Sequence, residues 1–169
     1  MAKFEKFDDA FYAGDTAEFK KLLTKLKSPN DKEDGEPFVV YLTRILAGDE
    51  SPGKEDIFKV LADAGCDLNA AEDTEYDART ALCHLAFNNN LHYLKYLISL
   101  GADINAQPTE DGQRAIHFAI KSDDIECSEY LLKQKNIDLT PWMGRTLDKV
   151  AKESGAKNSI ALLKKLGIK

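Results

Sequence analysis

The segments LADAGCDLNA at 61–70 and LISLGADINA at 97–106 are near copies set 36 residues apart. A weaker third copy, LKQKNIDLT at 132–140, follows 35 residues later, with Asn136 in the glycine place. Repetition at this period constrains the fold more than any local pattern. Each copy is one supersecondary unit, and units of this size must stack to share a core that none can bury alone.

Upstream of the three copies lie DIFKVLADA, LHYLKYLISL and IECSEYLLKQ, whose apolar residues recur at helical spacing along one face. A second shared run precedes two of them, TALCHLAFN at 80–88 and RAIHFAIKS at 114–122. Each unit therefore reads as loop, short helix, tight turn, second helix and glycine. Gly101 suits a left-handed C-cap, and Asp123 and Asp124 offer a cap and negative charge to the helix that follows them.

These runs resemble the ankyrin repeat, with its helix start T-P-L-H-x-A and a period of about 33. The likeness is carried by TALCHLA, RAIHFA, GCDLNA and GADINA. It implies an all-α solenoid of about five helix-turn-helix units with loop or β-hairpin fingers, one domain over residues 1–169. The units are placed at about 4–29 (N-terminal cap), 36–70, 79–106, 113–140 and 144–169 (C-terminal cap, with lysines on its outer face). Alanine stands in the helix-start proline place at 81 and 115, and Cys83 stands in the place of the family histidine in the third unit.

His117 falls in that histidine place, where the resemblance implies a scaffold residue that hydrogen-bonds loop backbone between neighbouring units. His84 and His92, eight residues apart without a third ligand at fixed spacing, are expected on or near helix surfaces, with no metal bound. The acid pairs Asp8/Asp9 and Asp123/Asp124 read as helix-start residues. GDESPGKE at 48–55 satisfies G-x-x-x-x-G-K, yet Asp49 and Glu50 would repel a phosphate and Glu55 replaces the magnesium-binding hydroxyl. Gly53 has another explanation, as an inter-helix turn twelve residues before Gly65; the same spacing separates Asn89 from Gly101 and Gly155 from Gly167. No catalytic residue and no cofactor is expected.

Hydrophobic residues at 43% and charged residues at 31% describe an ordinary globular chain. A net charge of −6 disfavours nucleic acid and acidic membrane surfaces as partners. Cys66, Cys83 and Cys127 have no pairing or metal spacing and favour a reducing compartment; no apolar run approaches the ~20 residues of a membrane span. MAKFEKFDDAFYAGD lacks a signal-peptide core, so a cytoplasmic location is expected, although a leader removed ahead of this numbering would leave no trace.

The resemblance implies a non-catalytic module that binds another protein through its concave face, as an adaptor or as an inhibitor or protective partner of an enzyme. The alternative is a nucleotide-binding protein or enzyme using segment 48–55. Mapped here, the family's variable positions are Glu72, Asp73, Glu75, Tyr76 and Asp77 in one finger, with Glu110 and Asp111 beside Pro108 and Thr109 in the next. Phe87, Asn88, Lys121 and Ser122 end the first helices, and Trp142 and Met143 tip the last finger. Segments 30–37 and 71–79 each carry four acids against one base, whereas 146–169 carries six lysines against two acids. An acidic finger ridge, a partner with a basic surface and a monomeric free state are the expectations.

Overall fold

Helices come in five successive pairs among the residues that the computed structural model describes, 3–46, 49, 51–74, 78–109 and 112–168. After a 3-10 turn at Glu5–Phe7 come α1 (Asp8–Ala13) and α2 (Thr16–Leu23). A hairpin of β1 (Lys32–Glu33) and β2 (Glu36–Pro37) leads into α3 (Phe38–Leu46) and α4 (Glu55–Asp63). The remaining pairs are α5 (Ala81–Phe87) with α6 (Leu91–Ser99), α7 (Ala115–Lys121) with α8 (Ile125–Leu132), and α9 (Leu147–Ser154) with α10 (Lys157–Leu166). First helices α3, α5, α7 and α9 pack in one layer, and α2, α4, α6, α8 and α10 in a second.

Local chemistry sets these boundaries. The side chains of Asp15, Thr80, Asn90, Asp124 and Thr146 each accept a bond from an amide in the first turn of the helix they precede. The turn between the helices of each pair holds a residue with positive φ: Gly14, Gly53, Asn89, Asp123 and Gly155. Asparagine and aspartate are the non-glycine residues that tolerate this region best. At Gly14 the constraint is also steric, because a Cβ there would lie 2.6 Å from the carbonyl oxygen of Gly53 in the next unit. Gly53 is thus an inter-helix turn.

Among the described residues no helix exceeds ten residues, too short to be stable alone in water. The helices persist because a continuous core runs through all five pairs. Its N-terminal end is aromatic: the Phe38 ring lies 4.6 Å from both Phe4 and Phe7, and Phe58 bridges Phe11 and Tyr93 at 5.9 and 5.6 Å. Farther along, smaller residues such as Ala86, Ile116, Ala119 and Leu131 fill it.

The repeated asparagine of the copied motif has a structural task. Asn30 Oδ1 accepts from the Asp67 amide at 2.6 Å, Asn69 Oδ1 from Asp103 at 2.7 Å, and Asn105 Oδ1 from Asp138 at 2.8 Å. Asn30 and Asn105 also donate through Nδ2 to the carbonyls of Gly65 and Asn136. One asparagine at each of the first three junctions ties a loop to the next unit. Asn105→Ala should therefore cost roughly 1–2 kcal/mol of unfolding free energy. Asn105→Asp should lose part of that by giving up the donor to Asn136, and urea melts of the two variants check the order.

Candidate partner-binding face

The first helices and fingers form the face that the mapped positions define. Phe87 ends α5 and is 43% exposed, its ring meeting Phe118 edge-on at 6.3 Å. The Arg79 guanidinium lies 4.4 Å from the Phe87 centroid and 4.7 Å from that of Phe118. Asn88 follows as the C-cap of α5. Lys121, last in α7, donates to Gln113 Oε1 at 3.2 Å and sits over Phe118. The last finger is a two-residue hairpin in which Trp142 and Arg145 exchange both backbone bonds. Its central residues, Met143 and Gly144, both have positive φ, as a type I′ turn requires. Met143 is 62% exposed at the tip, while Trp142 is half-buried between the His117 ring and the Arg145 guanidinium. Glu75, Tyr76, Asp77, Glu110 and Asp111 lie outside the described residues.

Several finger acids pair within the chain, although Asp73 stays exposed. Glu72 accepts from the Arg79 amide at 2.9 Å and bonds His84 Nε2 at 3.1 Å. Asp73 pairs with Lys32 of the preceding finger at 2.5 Å, and its amide donates to the Gly35 carbonyl, close enough that a Cβ on Gly35 would meet the Asp73 Cβ at 3.1 Å. Glu36 forks onto Arg44, Asp31 pairs with Lys3, and Glu33 accepts from the Lys3 and Phe4 amides. Asp34 remains exposed, at positive φ in the hairpin turn. Much of the expected acidic ridge therefore serves junctions between fingers.

The histidines divide differently from the expectation. His84 is 7% exposed rather than on a helix surface, because α5 is covered by neighbours on both sides. Burial pushes its pKa down, against the pull of Glu72. Since a carboxylate only accepts, Nε2 carries the proton. His92 is half-exposed and bonds Glu55 of the neighbouring unit at 2.6 Å. His117 is buried, but its Nδ1 accepts from the Arg114 amide of its own unit, while its ring meets Trp142 of the next. Cys83, in the equivalent place, does cross, its thiol donating to the Gln113 carbonyl at 3.5 Å. Burial holds the His117 pKa down at about 4, with the Arg114 charge adding to it. Among the described residues no three His, Cys, Asp or Glu side chains group to hold a metal.

In the phosphate-loop-like segment, of which Gly48 and Glu50 lie outside the described residues, the other polar groups are committed to the scaffold. Lys54 Nζ pairs with Asp49 at 3.2 Å and its side chain is 8% exposed. The amides of Ser51, Gly53 and Lys54 donate to Asp49, Glu55 and the Tyr93 hydroxyl, and that hydroxyl donates to the Ser51 carbonyl. The bond from Ser51, with Lys54 adding to it, holds the Asp49 carboxyl down at about 2. Asp123 departs from its expected role as well. Asp124 caps α8, whereas the Asp123 carboxylate accepts from the amides of Asn158 and Ser159 at the start of α10.

Comparison with known proteins agrees with this construction. The family model for ankyrin repeats, in three copies, matches residues 45–167. The chain belongs to the ankyrin-repeat family. It is 34% identical over 87 residues to the nuclear factor NF-kappa-B p105 subunit of Mus musculus, covering 50% of this chain and 9% of that protein. A putative ankyrin repeat protein of Rickettsia felis is 33% identical over 95 residues, 56% of this chain and 24% of its own length. I-Kappa-B like protein C1 of Microplitis demolitor bracovirus is 30% identical over 70 residues, 38% of this chain and 40% of its own length. The chain thus spans less than half of each of these relatives. Ankyrin repeats are protein-interaction modules, and the repeated motif, the fingers and the paired helices here are those of that family. No helix among the described residues is long and apolar enough to cross a membrane.

The buried His117 makes the ankyrin stack sensitive to acid. The unfolded chain binds a proton on it below its ordinary pKa of 6.5, the folded chain only near 4, so stability falls as pH drops through that interval. Its share of the loss is up to roughly 3 kcal/mol. In urea melts across this range His117→Ala should start less stable at neutral pH and lose less on acidification. Parallel curves for the two proteins would exclude the linkage.

Proposed function

We propose that this ankyrin stack is a non-catalytic binding module whose finger face covers the working surface of a partner protein, most simply as an inhibitor. The observation that carries the reading is Phe87, a large aromatic ring left exposed in the middle of the face and stacked with Arg79. Such a ring gains little from staying in water, and aromatic and arginine side chains are the residues that dominate interfaces. The inhibitor form rests on the family resemblance and on the similarity to proteins named I-kappa-B-like. Exposed Asp34, with the acids of the neighbouring fingers, favours a partner whose surface is basic opposite the first two fingers. The stack acts as one domain and one monomer, in a reducing cytoplasm where its three buried thiols stay unpaired.

Charge and ring then have separable effects. With the partner captured from source lysate and its binding followed by stopped flow, Phe87→Ala should mainly speed dissociation, by about tenfold or more, the equivalent of ~1.4 kcal/mol. Asp34→Asn should mainly slow association and flatten its salt dependence, since exposed ion pairs add only ~0–1 kcal/mol to affinity. Glu72→Ala is the contrast: losing the bond to buried His84, it should lower stability more than association rate. Dissociation indifferent to Phe87 would remove this face from the interface.

A further inference from the structure

Among the described residues, the two ends of the finger face carry clefts of opposite character. Near the N-terminus, a cleft of about 400 Å³ between the first hairpin, α1 and α3 is lined by Glu5, Asp8, Glu33, Asp34 and Glu36, with Arg44 as its cation. At the far end, a cleft of about 210 Å³ lies between α7, α9 and the last finger. Trp142 forms one wall, Val150 part of the floor, and Lys121 and Arg145 stand at the sides with Gln113 and Glu153.

Among the described residues, the charges of the second cleft are only half compensated. Arg145 pairs with Glu153 at 3.1 Å while its guanidinium also faces the Trp142 ring. Lys121 is held by the neutral amide oxygen of Gln113, and among the described residues no carboxylate pairs with it. Two cations thus meet one carboxylate beside an indole. The depressed His117, next to Trp142, feels the same positive surroundings through Arg114 and Lys121. Met143 extends the apolar wall outward.

We infer that this cleft receives an acidic side chain of the partner flanked by an apolar one, the carboxylate facing Lys121 and Arg145 and the apolar group resting on Trp142. This rests on the finger face being the docking face, and it deepens that reading by fixing the partner's orientation. The partner presents base to the first two fingers and acid to the last. An interface matched in the opposite sense would set like charges together at both ends, which disfavours the reversed pose.

Trp142 is the single tryptophan of the chain, so its fluorescence reports on this cleft alone. The probes are two synthetic hexapeptides, one alternating glutamate with leucine and one alternating lysine with leucine. The glutamate peptide should change the emission saturably, with affinity falling severalfold between roughly 20 and 300 mM salt as screening shortens. The lysine peptide should leave it unchanged. Lys121→Gln and Lys121→Glu should weaken the response in that order, and Glu153→Gln should strengthen it, all with melting temperatures near that of the parent. In the free protein, iodide should quench Trp142 more steeply than caesium at equal concentration. Equal response to both peptides, no saturable response to either, or quenching indifferent to the sign of the ion would overturn the assignment. If the peptides fail while Phe87→Ala still speeds release of the captured partner, the cleft is lost and the docking face stands. If both fail, the docking face goes too.

Discussion

Burial shared between neighbours is the constraint on which everything else in this molecule depends. Helices of six to ten residues cannot offset their own ordering entropy, so each pair is held by the pair on either side. The first helices show the consequence most fully. From Ala81 to Ala86 and from Ala115 to Ile120 every side chain is buried, leaving the last residue of each helix, Phe87 and Lys121, to meet the outside. The proposed docking positions are thus where the stack's own packing ends.

Polar contacts between units follow the same logic. Asn30, Asn69 and Asn105 each bridge to a backbone roughly one period ahead, and Asp123 reaches forward to cap α10. Asp123 shows the balance of forces clearly. Burial raises its carboxyl pKa, but the bonds from Ser159 and Asn158 outweigh this and leave it below the usual carboxylate range. The ionised form is therefore built into the junction. Acid that protonates it weakens the junction to the last pair.

The architecture was legible because two signals agreed: a period near 36 and a positive-φ residue between the helices of each pair. Gly53, Asn89 and Gly155 were placed by their twelve-residue distance to the next glycine, and all three turn the chain as that spacing requires. The hairpin tip Asp34–Gly35 also carries a recognisable turn dipeptide. What could not be seen was where charged side chains went. His84 looks solvent-facing on an isolated amphipathic helix, yet α5 is covered on two sides, a property of the stack and not of its local periodicity. Glu72 and Asp73 look like ridge acids, but their partners His84 and Lys32 lie 12 and 41 residues away. Lys54 completes a phosphate-loop pattern only on paper; Asp49 and Tyr93 had already engaged that loop.

Separating scaffold from docking surface changes how the charge of −6 is understood. Acids that sit in fingers do not form one field when several of them neutralise Arg44, Lys3 and Lys32 at distances of ~3 Å, where their fields largely cancel. Among the described residues, what remains is a gradient along the face, from the carboxylates around Asp34 to the cations beside Trp142. A gradient orients a partner, whereas a uniform ridge only attracts one. Affinity then has to come from the apolar groups placed along that gradient, because screened surface charges add little and truncation of a central aromatic can cost ~2 kcal/mol or more. In the proposed pose Phe87, mid-face, and Trp142, at the cationic end, would supply holding power, while the charges would determine which way round it is applied.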